Sequence, residues 1–349
     1  MKAAVWYAQK DVRVEEVEVK PCDVNEVRVK VAFTGMCGSD LHEYLEGPIF
    51  TPTETPNEFT GKIAPIVMGH EFSGVIDEIG SKVKNLRVGD RVAIYPTLSH
   101  EKKAEAVDIY DGYNFIGFAR DGGFAQYCTL PATSVYQIPD NMSFEQGALV
   151  EPTAVAVQAC KEGSVKFGDK VAIFGAGPIG CLITAAAKAA GAVEIIVCDL
   201  SEERLEKAKE LGATIVLNSA KVNVVETIRD LTHGGVDVAF EVAGVAITVQ
   251  QSIAATRARG MMVIVSIFAH EISWNPMQLV NSGVKITSTI AYTRTTFEQT
   301  IEAIGNGQLV VDPVITQKIT LDEIIEGGFE RLTTDKTQAK ILVDVQRIN

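Results

Sequence analysis

The stretch Gly35–Tyr44 holds four side chains that can act together in catalysis. It contains a thiol, a hydroxyl, a carboxylate and an imidazole, on Cys37, Ser39, Asp40 and His42. Zinc chemistry uses all four kinds of group: a thiolate binds the metal, a carboxylate orients a ligand, and a hydroxyl and an imidazole move a proton. The stretch therefore predicts one part of a catalytic zinc site, and the other metal ligands must come from elsewhere in the chain.

Two later segments offer the missing ligands. His70 and Glu71 are adjacent in a Gly-His-Glu sequence, and Glu151 is a carboxylate in an otherwise apolar run. An ionised glutamate in such a run is costly unless a cation or donor meets it. Cys37, His70 and one glutamate make a zinc site with an open fourth position, which catalysis requires. On a regular strand His70 and Glu71 point to opposite faces, which favours Glu151 as the third ligand unless the backbone bends near Gly69.

The other polar residues of the stretch each have a catalytic and an ordinary interpretation. Asp40 is predicted to hold the His70 ring from outside the metal site, and its alternative role is that of a turn or helix-cap residue. Ser39 and His42 have as alternatives a local hydrogen bond to the backbone and a place on an exposed helix face. The zinc hypothesis therefore depends on whether the fold brings His70 to Cys37.

A glycine-rich turn predicts a dinucleotide site. It follows the strand-like run Val171–Phe174, opens a helix, and consists of Gly175, Ala176, Gly177, Pro178, Ile179 and Gly180. The first glycine permits the tight turn, the second lets a pyrophosphate approach the backbone, and the third allows close packing of helix and strand. The amide donors at the start of the helix then face the phosphates.

The acid that binds the ribose is predicted to be Asp199. It ends the next strand-like run, at the expected spacing of about 20 residues. A carboxylate there accepts hydrogen bonds from both ribose hydroxyls and repels a 2′-phosphate, an effect that Glu202 and Glu203 strengthen. NAD(H) is therefore favoured over NADP(H). Arg204 is the cation nearby, and it either flanks the adenine or lies on the surface of its helix.

The composition excludes several classes of partner. The 349 residues are 46% hydrophobic and 22% charged, which is typical of an ordinary globular protein. A net charge of −13 repels nucleic acid and anionic membranes. Met1–Lys10 has no signal-peptide pattern, and no run of about 18 apolar residues can span a bilayer. The six cysteines form no C-x-x-C pair, so we expect a reducing, cytoplasmic location.

Two patterns of elements must position these residues. The chain up to Glu151 contains many short strand-like runs separated by glycine and proline, which indicates a β-rich barrel or sandwich. From Lys170 onward strands alternate with helices, which predicts a parallel, doubly wound sheet. The last strand-like run, Ala339–Val345, is expected to return to the first domain.

These motifs together resemble the zinc-dependent medium-chain dehydrogenase/reductase family. The matching segments are C-G-S-D at 37–40, G-H-E-F-S-G at 69–74, V-G-D-R-V at 88–92, G-G-F-A-Q-Y at 122–127, E-P-T-A-V-A at 151–156 and the glycine turn. The resemblance implies an α/β fold with a GroES-like, β-rich catalytic domain at 1–156 and 296–349. A Rossmann NAD-binding domain with a doubly wound parallel sheet is then inserted at 157–295.

The resemblance also implies a substrate. The polyol branch fits well because it carries glutamate at the position of Glu151. Segments 39–50 and 112–118 look like its butanediol dehydrogenase group, which interconverts 2,3-butanediol and acetoin with zinc and NAD(H). The proton is then expected to pass from Ser39 at the alcohol to His42 nearer solvent. Candidates for the pocket wall, with core packing as the alternative, are Tyr44, Phe50, Phe115 and Ile116.

Three other interpretations use the same fold. Another zinc dehydrogenase of the branch, acting on sorbitol, threonine or glucose, would have the same machinery. A zinc-free quinone or enone reductase would lack Cys37, His70 and Glu151. A non-catalytic protein of the same fold is disfavoured by the intact ligands and relay. The family is commonly dimeric or tetrameric, and Ile286–Ile290 is a candidate sheet edge for pairing between copies.

One departure from the family concerns a second metal. Most of these relatives bind a structural zinc through four cysteines between the V-G-D-R-V and G-G-F-A-Q-Y segments. In this chain the interval Ala93–Asp121 contains no cysteine. We therefore predict one catalytic zinc ion per chain and no structural zinc.

Overall fold

The strands and helices fall into two units. In the computed structural model, which describes residues 1–99, 112–268 and 270–347, the first unit contains Met1–Glu151, Thr293–Gly305 and Ile315–Asn349. The second unit contains Pro152–Tyr292 and Asn306–Val314. The predicted domain boundaries differ from this division chiefly at Asn306–Val314, which they assign to the first domain.

Strands and helices are numbered along the whole chain. The strands are β1 (Lys2–Ala8), β2 (Asp11–Glu16), β3 (Glu26–Gly35), β4 (Ile66–Val67), β5 (Glu71–Ile79), β6 (Arg91–Ile94), β7 (Thr97–Ser99), β8 (Tyr113–Phe115), β9 (Tyr127–Pro131), β10 (Val135–Gln137), β11 (Lys170–Phe174), β12 (Glu194–Asp199), β13 (Ile215–Asn218), β14 (Val236–Glu241), β15 (Thr256–Ile264), β16 (Lys285–Ser288), β17 (Ile315–Thr320) and β18 (Lys340–Asp344). The α-helices are α1 (Gly38–Glu46), α2 (Phe144–Glu162), α3 (Pro178–Ala189), α4 (Glu202–Glu210), α5 (Val224–Thr232), α6 (Ala246–Ala255), α7 (Met277–Ser282), α8 (Arg294–Gly305) and α9 (Arg331–Thr334).

The main sheet of the first unit runs in the order β10-β6-β5-β3-β18-β17, and β9 also pairs with β3. Strand β3 shows why this part folds as a half-buried sheet. Its Val27, Val29 and Val31 are fully buried, whereas Lys30 between them is exposed. This period of two is that of a strand with one face on the core. The buried valines pack in one cluster with Trp6.

The C-terminal strand joins the same sheet. Strand β18 pairs antiparallel with β3 at Leu342 and Gly35, and β3 pairs antiparallel with β5 at Gly35 and Glu71. The predicted return of the C-terminal segment to the first domain is therefore confirmed. The two pairings also place Lys340 of β18 close to Glu71 across the end of β3.

The sheet of the second unit runs in the order β13-β12-β11-β14-β15-β16, and every one of these pairs is parallel. This is the strand order of the Rossmann fold, whose topological switch point lies between β11 and β14. The glycine turn at 175–180 begins where β11 ends, at that switch point. The predicted doubly wound sheet is confirmed.

The placement of Asn306–Val314 with the second unit has a packing reason. The helical turn Asp312–Val314 contacts α3 and α4 of that unit. Val311 and Val314 are fully buried. The segment therefore buries its apolar side chains against the second unit, although the stretches before and after it in the sequence belong to the first unit.

No helix within residues 1–99, 112–268 and 270–347 is both long and apolar enough to cross a membrane.

Candidate functional site

A thiol, an imidazole and a carboxylate meet in the first unit, on Cys37, His70 and Glu71. Their ligand atoms all lie within 4.8 Å of one another. Tetrahedral zinc ligands at about 2.0–2.3 Å from the metal are about 3.5 Å apart, so a small contraction of this group would hold the ion. Sulfur, nitrogen and oxygen donors of these types are those that zinc binds in catalytic sites. The residues present therefore fit a zinc ion.

The backbone around Gly69 explains how His70 and Glu71 both reach the group. Gly69 has a φ of +93°, in the left-handed region that favours glycine. A Cβ at Gly69 would also lie 2.8 Å from the backbone nitrogen of Phe124. The regular strand β5 begins only at Glu71. The bend therefore removes the constraint that would send the two side chains to opposite faces.

Asp40 contacts two of the candidate metal ligands, Cys37 and His70. Its Oδ2 accepts a hydrogen bond from the Cys37 backbone N–H at 3.0 Å. Its Oδ1 lies 3.3 Å from Nδ1 of His70. Burial by itself lowers the pKa of His70, but the charges of Asp40 and Cys37 raise that pKa well above its usual value in the metal-free chain. Asp40 therefore faces the outer nitrogen of the ring and leaves Nε2 for a metal.

The two residues of the expected proton relay lie on α1. Ser39 Oγ is 3.3 Å from Nε2 of His70, the ring nitrogen that faces the thiol side. His42 is exposed and follows Ser39 by three positions, so the two lie on one face of the helix. Ser39 is therefore the inner group and His42 the outer one.

Sequence reasoning missed Lys340, which contacts Glu71 directly. Lys340 Nζ donates hydrogen bonds to both Glu71 oxygens at 2.7 Å and to the Met36 carbonyl at 3.0 Å. Its side chain is only 1% exposed. Burial by itself lowers the pKa of Lys340, but Glu71 and then Cys37 raise it, and the net direction is upward. The detectable signal in the sequence is a lysine at the start of the apolar strand β18.

Gly35 leaves the space that this ion pair occupies. A Cβ at Gly35 would overlap Oε2 of Glu71. The strand end must therefore be glycine for Glu71 to reach Lys340 and the metal group together.

Glu151, the other candidate ligand, is buried in α2 just before Pro152. Within the described residues it is not part of the 4.8 Å group of Cys37, His70 and Glu71. It is close enough to Lys340 for its charge to raise the pKa of that lysine. The region thus contains two buried carboxylates beside one buried cation.

An aromatic wall, formed by Phe50, Phe115 and Phe118, lies next to His70. The Phe118 ring is 5.2 Å from the His70 ring, and the Phe115 ring is 6.4 Å from it. Phe50 contacts Phe118 at 5.3 Å between ring centres and Phe115 at 6.4 Å. The metal group therefore has an apolar surface on one side. Phe118 was not among the predicted wall residues.

Two of the predicted wall residues belong to the core. Tyr44 stacks on Phe329 with ring centres 4.7 Å apart. Ile116 is fully buried in the same core cluster. The alternative of core packing therefore describes Tyr44 and Ile116, whereas Phe115 lies beside His70 and Phe50 packs on Phe115 and Phe118.

The glycine turn in the second unit has the geometry of a phosphate cradle. Gly175 has a φ of +111°, and a Cβ at Gly180 would overlap the Gly175 carbonyl. Nothing lies within 4 Å of the position where Gly177 would carry a Cβ. Gly177 precedes α3, and Pro178 occupies its first turn, where a missing N–H has no cost. The turn therefore exposes backbone at the N-terminus of a helix.

Asp199 and Arg204 flank the glycine turn. Asp199 accepts hydrogen bonds from the Ala176 N–H at 2.7 Å and the Ser201 N–H at 2.9 Å. Arg204 Nε is buried and has no hydrogen-bond partner in the part of the chain that the structure describes. A buried donor without a partner is costly, and a polar cofactor group nearby would satisfy it. These features fit a dinucleotide.

Sequence reasoning also missed Glu241, a buried carboxylate at the end of β14. It accepts hydrogen bonds from the Ala243 and Gly244 N–H groups, both at 2.9 Å, and from the hydroxyls of Thr248 and Ser266. The backbone after β14 lies beside Gly175, since a Cβ there would be 3.1 Å from the Val242 carbonyl carbon. Glu241 thus orders the loop opposite the glycine turn.

A zinc-type ligand group with a hydroxyl beside it and a dinucleotide-binding fold are together typical of a zinc-dependent, nicotinamide-linked dehydrogenase. Comparison with known proteins gives the same class. Residues 23–140 match the alcohol dehydrogenase GroES-like domain, and residues 178–306 match the zinc-binding dehydrogenase family. The chain belongs to the zinc-binding dehydrogenase family and is an oxidoreductase.

Individual relatives are similar over the full length. The (R,R)-butanediol dehydrogenase of Bacillus subtilis is 44% identical over 344 residues, which cover 98% of this chain and 99% of the relative. The sorbitol dehydrogenase of the same organism is 34% identical over 98% of this chain and 97% of its own. The crystal structure of 2R,3R-butanediol dehydrogenase from Bacillus subtilis superposes with a TM-score of 0.94 at 44% identity, covering 99% of each chain.

Proposed function

We propose that this protein interconverts a vicinal diol and a hydroxyketone, 2,3-butanediol and acetoin, with zinc and NAD(H). The observation that carries the proposal is the Cys37–His70–Glu71 group beside the aromatic wall. A short diol with methyl ends offers an oxygen for the metal and apolar ends for the wall. Full-length similarity to butanediol dehydrogenases supports the same substrate.

The residues of the chain have distinct tasks in this proposal. When bound, zinc supplies a Lewis acid for the substrate oxygen, and NAD(H) accepts or donates the hydride. Cys37 and His70 hold the metal, and Asp40 fixes the His70 ring. Ser39 Oγ would accept the proton of the substrate hydroxyl as its own hydroxyl proton leaves toward His42, which would pass a proton to solvent. Other residues bind the cofactor: Gly175, Gly177, Pro178, Ile179, Gly180, Asp199 and Arg204.

The third ligand is a carboxylate, and distance favours Glu71 over Glu151. Glu71 lies in the group with the thiol and the imidazole. The ion pair of Glu71 with Lys340 argues against zinc binding by Glu71, because both Glu71 oxygens already accept hydrogen bonds from the lysine. If Glu71 is the ligand, Glu71→Gln should weaken zinc binding more than Glu151→Gln does in a competition assay with a chelator.

We further propose that the chain binds one zinc ion and lacks the structural zinc of most relatives. The support is the absence of cysteine from Ala93–Asp121. Residues 100–111 of that interval lie outside the described structure. Metal analysis of the purified protein that found two zinc ions per chain would refute the proposal.

A kinetic panel tests the proposed substrate. We expect acetoin and 2,3-butanediol to react faster than sorbitol, threonine or glucose, and NAD(H) to be used in preference to NADP(H) because of Asp199. Activity should vanish on chelation and return with zinc. A chelated sample without added zinc and a sample with added magnesium are the controls. Faster turnover of sorbitol would favour the second candidate, a polyol dehydrogenase like the 34% identical relative.

The proton relay predicts a pH-dependent defect for His42→Ala. We expect the rate to fall by about tenfold at a pH of about 6 to 7, because general acid–base groups contribute at least that much. The deficit should shrink at higher pH, where hydroxide removes the proton instead. His270→Ala, also at an exposed histidine, is the control. An unchanged rate of His42→Ala across this range would contradict the relay.

We also propose a cytoplasmic homodimer or homotetramer. The six cysteines are free, in keeping with a reducing compartment. Strand β16 is one of the two edges of the parallel sheet, and unpaired edges invite pairing. The nearby helix α7 exposes Met277 and Val280, which are 51% and 69% exposed. Light scattering that found a monomer would count against the oligomer.

A further inference from the structure

Glu43 is a buried carboxylate that the proposed mechanism does not use. It lies on α1, between the relay residue His42 and the core residue Tyr44, and is fully buried. Its oxygens accept hydrogen bonds from the backbone N–H groups of Ile49, Phe50 and Thr51. The distances are 3.1 and 3.2 Å from Ile49, 2.8 Å from Phe50 and 3.3 Å from Thr51.

The three amides explain why a carboxylate is present. Residues 49–51 belong to no helix or strand, so their N–H groups need acceptors from elsewhere. A carboxylate offers two acceptor oxygens with about four lone-pair sites and no donor. A glutamine would place an NH₂ group against one or more of these N–H groups. One buried side chain therefore determines the backbone path of the segment.

The helix end that carries Glu43 is itself held in place. The Glu43 carbonyl accepts hydrogen bonds from the Gly47 N–H at 3.0 Å and from the Trp6 indole at 3.2 Å. A Cβ at Gly47 would overlap the same carbonyl. Trp6 is fully buried in the core. Because the end of the helix is anchored in this way, the Glu43 carboxylate has a fixed position from which it binds the amides of residues 49–51.

The segment held by Glu43 carries part of the aromatic wall. Phe50 donates its N–H to Glu43, and its carbonyl accepts a hydrogen bond from Asn114 Nδ2 at 2.9 Å. Asn114 Oδ1 accepts the Phe115 N–H at 2.7 Å. One chain of hydrogen bonds thus fixes the backbone on both sides of the Phe50–Phe115 contact. Both rings reach Phe118, which packs on His70.

We propose that Glu43 is a positioning residue that sets the substrate preference of the site through the aromatic wall. It holds Phe50 against Phe118, whose ring packs on His70, so that apolar rings lie on one side of the metal group. Such a wall accepts the methyl end of a short diol and disfavours a chain whose next carbon carries a hydroxyl, because that hydroxyl would be buried without a partner. This inference rests on the proposed function.

The variant Glu43→Gln tests the inference in the zinc-loaded enzyme, with Glu46→Gln as the matched control. Glu46 lies on the same helix, is exposed and loses the same charge. We expect Glu43→Gln to speed hydrogen exchange of the amides of residues 49–51 by about tenfold or more. We also expect its preference for 2,3-butanediol over sorbitol, as a ratio of kcat/KM, to fall about tenfold, mainly through a higher KM for the diol. Zinc content should stay at the wild-type value, and Glu46→Gln should show neither change.

A second variant keeps the test valid if Glu43→Gln does not fold. Asn114→Ala removes the other anchor of Phe50 and should lower the same selectivity ratio while Glu43 is intact. Unchanged exchange at residues 49–51 in Glu43→Gln, or faster exchange with an unchanged ratio, would overturn the proposal. A wild-type enzyme that oxidises no diol would instead contradict the proposed function. The two failures can be told apart, because the hydrogen-exchange measurement on residues 49–51 needs no substrate.

Discussion

A Cys37→Ser variant is expected to lose its zinc and to oxidise 2,3-butanediol about a thousandfold more slowly than the wild type. Zinc binds a thiolate, whereas a serine hydroxyl stays protonated at neutral pH and is a poor ligand. Lewis-acid catalysis contributes several kcal/mol to the transition state, and about 4 kcal/mol corresponds to about a thousandfold in rate. Zinc per chain and NADH formation are the two measurements.

Cys22→Ser is the control for this experiment. Cys22 is a half-buried cysteine of the first unit, where burial raises the pKa of its thiol to about 11. Cys22 also lies outside the Cys37–His70–Glu71 group, so it is not expected to hold the ion. We expect wild-type zinc content and rate from Cys22→Ser. A Cys37→Ser protein that kept both would exclude Cys37 as a ligand.

The parts of the fold that depend on local pattern were predictable from the sequence. The turn at Gly175–Gly180 combines a strand, three glycines and a helix; Gly175 and Gly180 are required by close backbone contacts, and Gly177 leaves open space for a cofactor. The parallel sheet followed from alternating strands and helices. Cys37 and His70 were predicted as partners because zinc requires ligands of those types, and the structure brings them together with Glu71.

Three features of the site and its surroundings were not predictable from residue type. Lys340 meets Glu71 across 269 positions of sequence, and the pairing of β18 with β3 determines that contact. Glu43 was assigned no role, because the amides it accepts belong to a segment with no pattern of its own. The sequence does not determine the geometry at Gly69, since a single φ angle decides which way His70 points. Long-range strand register decides the Lys340 contact, whereas the local backbone path decides the other two features, and residue type alone determines none of them.

Lys340→Met is expected to lower the free energy of unfolding of the zinc-free protein by about 3–5 kcal/mol. The substitution keeps the apolar stem but removes the cation that meets the fully buried Glu71 carboxylate at 2.7 Å. Removing one partner of a buried ion pair leaves an uncompensated charge, whose cost is of that size. The midpoint of urea unfolding measures the effect, and zinc-free protein is used so that metal binding does not add to it.

Lys318→Met, on the adjacent strand β17, is the control. It shows how much stability is lost when an exposed lysine, instead of a buried one, is replaced by methionine. Lys318 is 50% exposed and pairs with Glu145 at 2.7 Å, so its removal should cost less than about 1 kcal/mol. The double variant Lys340→Met/Glu71→Gln should recover most of the stability lost in Lys340→Met, because neither charge of the pair then remains buried alone. If the double variant is no more stable than Lys340→Met, the lysine acts through its hydrogen bond to the Met36 carbonyl. Recovery of stability would instead show that Lys340 acts by neutralising the charge of Glu71, the carboxylate that the structure places beside Cys37 and His70.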